Sequence, residues 1–406
     1  MQPLSYFFIL GRNPALSLAE IEAALGQNEY QPESLSEQAA IIKTAYPAVD
    51  LMARLGGTKK IGRLEPETLK NLEDEKSLTI LTKALNPTGE QKFFFGLSVY
   101  SLDNQTTLPS LKQLLRLGLS LKRQLKENNI QARYVSSREP ALSSVIVKTN
   151  HLLDRGTELC LFFDKAGIKI GKTLAVQEFA QASWRDYGRP AHEMKVGMLP
   201  VQLTKILINL ARQPLEATLL DPFCGFGTVL AEAMVMGYKN LIGSDINPQT
   251  IEGAKKNLEW LKKNYELGVM NYELRTLPVE HLSSRIKLNS IDAIITEPYL
   301  GPIKQFSIFN FQFSNLVNEL SNLYVNSFAE FKKILKPGGR VVFIFPVFKQ
   351  GDKLIKTSDL ALPQIKKLGF KTSPLLTTNH QLQTNNSIIY SRPDQKILRE
   401  IFVFQA

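Results

Sequence analysis

Three short segments, each lying where a strand of a parallel α/β sheet should end, constrain this chain more than anything else in it. They are Asp221-Pro222-Phe223-Cys224-Gly225-Phe226-Gly227-Thr228, then Gly243-Ser244-Asp245-Ile246-Asn247, then Glu297-Pro298-Tyr299-Leu300-Gly301. Open α/β sheets bind ligands beyond the carboxyl ends of their strands. Three such segments in order along one sheet therefore describe a single pocket.

In the first segment, Ala217-Thr218-Leu219-Leu220 has strand character and Val229 to Met234 opens a helical pattern. Between them, Gly225 and Gly227 let the backbone turn tightly and approach a ligand closely. A dinucleotide fingerprint wants a third glycine at position 230, which here is Leu230. Asp221 would repel a pyrophosphate and suits a ligand carrying an amino group and a sulfonium cation. Taken alone, this segment has an ordinary strand–turn–helix corner as its alternative.

The second segment narrows the choice. Asn240 to Ser244 reads as the next strand, and Asp245 follows it, 24 positions after Asp221. An acid there can accept both hydroxyls of a ribose, with Ile246 lying flat against an adenine. The alternative makes Asp245 a helix cap before Pro248, a role for which Asn247 is better placed. In the third segment, Ile291 to Thr296 is a buried-strand pattern that runs into Glu297-Pro298-Tyr299. Nucleobase amino groups are poor nucleophiles because their lone pair is delocalised into the ring. A carboxylate and a carbonyl that accept both N–H bonds localise the pair, and an aromatic side chain stacks on the base. A plain strand end, with Tyr299 in the core, is the other reading.

With these motifs in hand, residues 184–406 resemble the tRNA (guanine-N2)-methyltransferases that carry an N-terminal THUMP domain. The likeness takes in Trp184-Arg185-Asp186-Tyr187-Gly188-Arg189-Pro190, and Met198-Leu199-Pro200 leading into Leu207-Ile208-Asn209-Leu210-Ala211. The resemblance implies S-adenosylmethionine as cofactor, tRNA as partner, and methylation of the exocyclic N2 of a guanosine, of the guanosine-10 type. It implies cofactor binding by Asp221, Pro222, Phe223, Gly225, Gly227, Thr228, Asp245 and Ile246, and catalysis by Glu297, Pro298 and Tyr299. Two departures stand out. Glu-Pro-Tyr replaces the family's Asp-Pro-Pro-Tyr, and no acid between Thr276 and Glu280 is an obvious partner for the adenine amino group. An adenine-N6 methyltransferase of ribosomal RNA or DNA and a non-catalytic RNA-binding protein keeping the fold are the alternatives.

The rest of the C-terminal half fits a Rossmann-like class I methyltransferase sheet of seven strands. Pro248 to Tyr265 is a charged amphipathic helix, and Phe309 to Leu335 is helical up to Pro337-Gly338-Gly339. Arg340 to Phe345 is the fifth strand, and Pro363 to Leu368 a short helix ending at Gly369. Ser387 to Ser391 and Arg399 to Phe404, joined through Arg392-Pro393-Asp394-Gln395-Lys396, form a terminal antiparallel hairpin.

At 406 residues the chain is long enough for two or three domains, and 44% hydrophobic with 21% charged residues is ordinary for a soluble protein. Cys160 and Cys224 stand apart with no CxxC neighbour, and His151, His192, His281 and His380 are isolated, so neither a disulfide framework nor a metal site is suggested. Tyr6 to Leu10 is too short for a signal segment, and no apolar run approaches the ~20 residues of a membrane span. The expectation is a cytoplasmic protein, monomeric by default.

The net charge of +11 is unevenly spread. Between Pro109 and Ala175 twelve Lys or Arg face five acids. Such a concentration suits a polyanion, although a solvated basic face would look the same. Beside a base-methylating pocket it reads as an RNA platform, with Lys112, Arg116, Lys122, Arg123, Lys126, Arg133, Arg138 and Lys148 as candidate contacts.

Within the N-terminal half, Tyr6 to Leu10 is a strand, and Ser17-Leu18-Ala19-Glu20 has the form of a capping box opening a helix to Leu25. Lys92 to Tyr100 is a strand, Leu108 to Asn128 a long basic amphipathic helix, and Ala132 to Val135 and Ser144 to Val147 are strands. The resemblance divides the chain into a ferredoxin-like α+β domain (1–65), a THUMP-like RNA-binding domain (66–175), a linker (176–190) and the methyltransferase domain (191–406).

Overall fold

The computed structural model describes every residue except 1, 88–91, 193–197, 266, 269, 303–309, 352, 377–385, 393–394 and 396. The chain divides into two compact units, Met1–Ala180 and Gln181–Ala406. His380 and the tip of the expected hairpin at 393–394 and 396 lie outside the described residues. No helix among the described residues is long and apolar enough to cross a membrane.

The first unit runs β1 (Leu4–Leu10), α1 (Pro14–Leu25), β2 (Gln31–Leu35), β3 (Ala39–Thr44), α2 (Ala48–Arg54), β4 (Thr58–Leu69), α3 (Glu75–Leu85), β5 (Phe93–Ser101), α4 (Leu111–Glu127), β6 (Ala132–Val135), α5 (Ser144–Thr149), β7 (Gly156–Asp164) and β8 (Gly167–Val176). Its eight strands form one mixed sheet in the order β2-β3-β1-β4-β8-β7-β5-β6. That sheet runs through both the 1–65 and 66–175 segments, and β4 itself crosses the expected boundary. The expected linker at 176–190 holds a helix, α6 (Phe179–Tyr187).

Two local expectations fail here for physical reasons. Helix α1 starts three residues before Ser17, with Asn13 as its cap accepting from the Leu16 N–H and Pro14 opening the first turn. Ser17 instead donates to the Gly57 carbonyl at 2.7 Å, and the Glu20 carboxylate accepts the N–H groups of Gly56 and Gly57. The apparent capping box is a buried latch between α1 and the turn before β4. Ser144 to Val147, expected as a strand from its β-branched run, is helix α5, because the Ser143 hydroxyl caps it by accepting from the Ile146 N–H.

The long basic helix is present as α4, with a capping box made by Ser110 and Gln113. Leu114, Leu117, Leu121 and Leu125 face a core shared with Phe95, Leu159, Leu161 and Ile170. Deeper in the sheet, Lys60 and Glu158 form an ion pair that is almost fully buried. Ser98 and Thr173 each donate to the same carboxylate at 2.5 Å.

The second unit continues with α7 (Val201–Leu210), β9 (Thr218–Asp221), α8 (Thr228–Val235), β10 (Asn240–Asp245), α9 (Pro248–Asn264), β11 (Asn271–Thr276), α10 (Leu282–Arg285), β12 (Ile291–Thr296), α11 (Asn310–Ile334), β13 (Leu335–Gln350), β14 (Lys353–Lys356), α12 (Ser358–Lys367), β15 (Lys371–Ser373), β16 (Ser387–Tyr390) and β17 (Ile397–Gln405). The main path through the sheet is β11-β10-β9-β12-β13-β17-β15, and β17 is antiparallel to its neighbours. This is the seven-strand class I methyltransferase order. Nine strands take part in all, because β14 pairs with the extended end of β13 and β16 pairs with β17 beyond β15. The expected hairpin is β16 against β17, from Ser387 opposite Phe402 to Tyr390 opposite Arg399.

Helix α12 begins five residues before Pro363, which sits inside it rather than at its start. The sheet is covered by an aromatic cluster in which Phe328 meets Phe343, Phe370 and Phe404 edge-on at about 5 Å between ring centroids. On the other end, Trp184 stacks on Trp260 at 4.0 Å, and Arg185 forms a buried pair with Glu232. These contacts account for the Trp184-Arg185 motif as packing.

Removing one partner of the Lys60–Glu158 pair strands a buried charge. Lys60→Met should therefore cost about 3–5 kcal/mol in chemical denaturation. The Lys60→Met/Glu158→Leu double variant should recover most of that, and an equally large loss in the double would show the pair is not what the single variant breaks.

Candidate functional site

Parallel register places the three motifs side by side. β9 lies between β10 and β12, with Asp221 level with Gly243, and Leu220 level with Ile294. The acids ending β9 and β10 and following β12 therefore gather on one sheet edge. They line a cavity of about 780 Å³, large enough for a nucleoside-sized ligand. Pro222, Phe223, Gly225, Thr228 and Ile246 line it as well, so of the expected cofactor residues only Gly227 is absent from its wall.

The loop after β9 is shaped by its glycines. Gly225 and Gly227 have φ of +48° and +80°, a left-handed conformation that disfavours side chains. Gly227 has a structural duty, since a Cβ there would press on Ala254 at 3.2 Å. The Gly225 N–H donates to Asp245 at 3.0 Å, which ties the loop to the second acid. The other Asp245 oxygen accepts the Asn247 N–H at 2.9 Å, and Asn247 caps α9 as expected. Each Asp245 oxygen keeps a lone pair for a hydroxyl donor. Ile246 beside it is 70% exposed, a bare apolar surface at the cavity wall.

Asp221 is only 4% exposed. It accepts from the Thr296 hydroxyl at 2.6 Å and the Phe223 N–H at 3.1 Å. Burial pushes its carboxyl up to about 7, against the pull of the Thr296 hydrogen bond, and the neighbouring Asp245 and Glu297 add to the rise. This group is thus poised between neutral and charged near pH 7, where the sequence reading takes it as a plain carboxylate. Cys224 next to it is buried, with its thiol pushed well up by burial. It also lines the cavity.

At the third motif, the Glu297 carboxylate is held by Arg399 of β17, from Nε at 2.5 Å and Nη2 at 3.2 Å. Burial works against the Arg399 charge, but the carboxylate outweighs it and raises the guanidinium pKa. Tyr299 is 54% exposed, and its carbonyl accepts from the buried Tyr324 hydroxyl at 2.7 Å. The ring is thereby free to meet a ligand while its backbone is anchored, and the core position considered above does not occur. Pro298 and Leu300 line the cavity beside it.

Four acids line this cavity (Asp221, Asp245, Glu280 and Glu297) against a single cation, Arg399, among the described residues. The excess of negative charge suits a ligand bearing an ammonium and a sulfonium group. A cradle of positive-φ glycines, an acid poised near neutrality and an acid with free lone pairs fit S-adenosylmethionine, the methyl donor of this domain class. Three charged residues were not singled out as site residues from the sequence, two of them on the wall. Glu280 follows β11, where the adenine-facing acid was sought. Arg399 is contributed from a distant antiparallel strand, and Arg189, although outside the cavity wall, donates to Thr228 Oγ1 at 2.7 Å.

The candidate RNA residues lie in the first unit. Lys112, Arg116, Lys122, Arg123 and Lys126 are exposed on α4, and Arg133 and Arg138 are exposed beyond it. Lys148 is exposed but paired with Glu178.

Comparison with known proteins agrees with the strand order. Residues 184–372 match a family model described as RMKL-like, methyltransferase domain. The chain is 36% identical over 104 residues to a tRNA (guanine(10)-N2)-dimethyltransferase of Methanocaldococcus jannaschii, covering 26% of this chain and 29% of that one. It is 40% identical over 80 residues to the enzyme of the same name from Pyrococcus abyssi, covering 20% and 22%. Among solved structures, TrmN from Thermus thermophilus superposes with a TM-score of 0.55 at 17% identity, covering 99% of both chains. The second unit thus carries a class I methyltransferase domain. It resembles the tRNA (guanine-N2)-methyltransferases, although the aligned stretch spans under a third of those two archaeal relatives.

The raised Asp221 carboxyl makes a signed prediction. Its folded value of about 7 exceeds the ordinary 3.8, so the native state holds an extra proton between those limits, and stability falls as pH rises through them. Asp221→Asn should therefore melt higher than the wild type at pH 8, with the gap closing toward pH 4. The same substitution should weaken cofactor binding by about tenfold or more in calorimetry at pH 8. A variant that melts lower at pH 8 would show that Asp221 is not strained in the free protein.

Proposed function

We propose that this protein transfers a methyl group from S-adenosylmethionine to the exocyclic N2 of a guanosine in tRNA, at position 10. The observation that carries the reading is the Glu297-Pro298-Tyr299 turn. It stands on the same cavity wall as Asp221 and Asp245, and its aromatic ring is open to a ligand. The similarity to enzymes named for guanine-10 in tRNA supports the choice of nucleotide.

When bound, S-adenosylmethionine supplies an electrophilic methyl group on sulfur. Asp221 would receive the cofactor's amino group and Asp245 its ribose hydroxyls, with Ile246 against the adenine and Glu280 accepting from the adenine amino group. Tyr299 stacks on the guanine. The Glu297 carboxylate and the Pro298 carbonyl accept the two N2 hydrogens and turn the lone pair toward the methyl carbon. With the cofactor bound, the methyl would pass to this nitrogen as its bond to sulfur gives its electrons to sulfur, and the nitrogen's surplus proton would leave to water.

The first unit is the RNA-binding lobe in this reading, a THUMP-like domain with its ferredoxin-like preface. Helix α4 buries Leu114, Leu117, Leu121 and Leu125 and offers its cations to phosphates, which fixes position rather than sequence.

Incubation with unmodified tRNA and labelled cofactor, followed by mass spectrometry of the nucleosides, tests the activity directly. N2-methylguanosine is expected, and methylation of adenosine would overturn the reading. Glu297→Gln should leave cofactor affinity intact and lower turnover by about 10²–10⁴. Near-normal turnover in this variant would remove Glu297 from the chemistry. For the RNA lobe, charge reversal at Lys122, Arg123 and Lys126 should weaken tRNA binding and flatten its salt dependence, with cofactor affinity unchanged. An unaltered salt slope would move the RNA surface elsewhere.

A further inference from the structure

Arg399 is the one cation on a cavity wall that otherwise carries acids, among the described residues. Its arrival there is a consequence of topology. β17 runs antiparallel to β13, so its start, not its end, lies at the edge where the parallel strands finish. Arg399 is level with Pro346 of β13, while Thr296, just before Glu297, is level with Phe343. β12 and β17 flank β13 on opposite sides, roughly 10 Å apart. Only a long side chain can cross that distance.

The contact has the form of a clamp. Nε meets one carboxylate oxygen and Nη2 the other, and both side chains are largely buried. Two parallel bonds from a planar guanidinium fix the plane of the carboxylate as well as its position. They occupy one lone pair on each oxygen and leave others to accept N–H bonds. Glu297 stands where the resembled family has aspartate, and its extra methylene adds a rotatable bond. An unclamped glutamate would spread its carboxylate over several rotamers, whereas the arginine selects one. Glu297 also acts on Asp221 of β9 and Tyr324 of α11, and Tyr390 of β16 acts on Arg399. None of these can replace the guanidinium as a counter-charge.

We propose that Arg399 is a positioning residue for the methyl transfer, holding the Glu297 carboxylate in the one orientation whose free lone pairs face the substrate amino group. The inference rests on the proposed role of Glu297. It makes the Glu297–Arg399 pair a two-residue substitute for the shorter acid of the resembled family.

A double-mutant cycle on the full chain tests it, with kcat and KM on unmodified tRNA, calorimetry with S-adenosylmethionine and thermal melts as readouts. Arg399→Lys keeps a counter-charge for the buried carboxylate but not the two-point grip, so it should fold and bind cofactor normally. Its kcat should drop by about tenfold with tRNA KM unchanged. Arg399→Met should lower kcat by about a hundredfold, within the range for a lost preorganised polar group. Because Arg399 acts through Glu297, the Glu297→Gln/Arg399→Met double variant should be no slower than Glu297→Gln alone. Additive losses, or a normal kcat in Arg399→Lys, would overturn the clamp while leaving Glu297 in place. A wild type without guanosine methylation, or a Glu297→Gln variant with normal turnover, would instead sink the underlying reading of the site.

Discussion

The cavity depends on the parallel register of β9, β10 and β12, because that register alone brings three carboxylates from distant parts of the chain to one edge of a sheet. Like charges so placed repel. The protein manages the repulsion differently at each acid. Asp245 is surrounded by backbone N–H donors from Gly225 and Asn247. Glu297 is given a guanidinium. Asp221, the most buried of the three, receives a hydroxyl and one N–H, and its carboxyl is left raised. The uncompensated part of the charge therefore sits at the one acid whose place in the loop suits a cationic ligand.

The same logic separates what was legible in the sequence from what was not. The three motifs could be read because each is local: a strand, a turn residue and an acid within eight positions or fewer. Their gathering could be read because parallel sheets put strand ends together as a rule. The hairpin of β16 and β17 was legible from two short apolar runs on either side of Arg392-Pro393-Asp394-Gln395-Lys396, and with it the antiparallel insertion. Arg399 was invisible as a functional residue. Its partner lies 102 positions away, and nothing local distinguishes an arginine at a strand start from a solvated one.

The misread elements share a cause. Ser17 and Glu20 have the spacing of a capping box, but both side chains are spent on the turn at Gly56 and Gly57, a tertiary contact that outbids the local one. Val145-Ile146-Val147 has strand composition, yet Ser143 before it and a core position for Val147 make a short helix the better use of those residues. The buried Lys60–Glu158 pair escaped for the reason Arg399 did. A glutamate counted among the acids of a basic segment contributes nothing to the surface field when it lies in the core beside a lysine. The outward charge of that segment is therefore more positive than its composition indicates.

These two ion pairs invite opposite expectations from one physical rule. A buried pair seldom adds stability over an apolar one of the same shape, because desolvation offsets the attraction. In the first unit the Lys60–Glu158 pair joins β4 to β7 in the interior, so it specifies how strands meet, and apolar replacement of both partners should be tolerated. In the second unit the pair borders a cavity, and one partner keeps lone pairs facing it. There an apolar replacement of Glu297 and Arg399 could preserve the fold and still abolish what the cavity is shaped to do. Stability measured alone would not tell the two pairs apart, whereas turnover separates them.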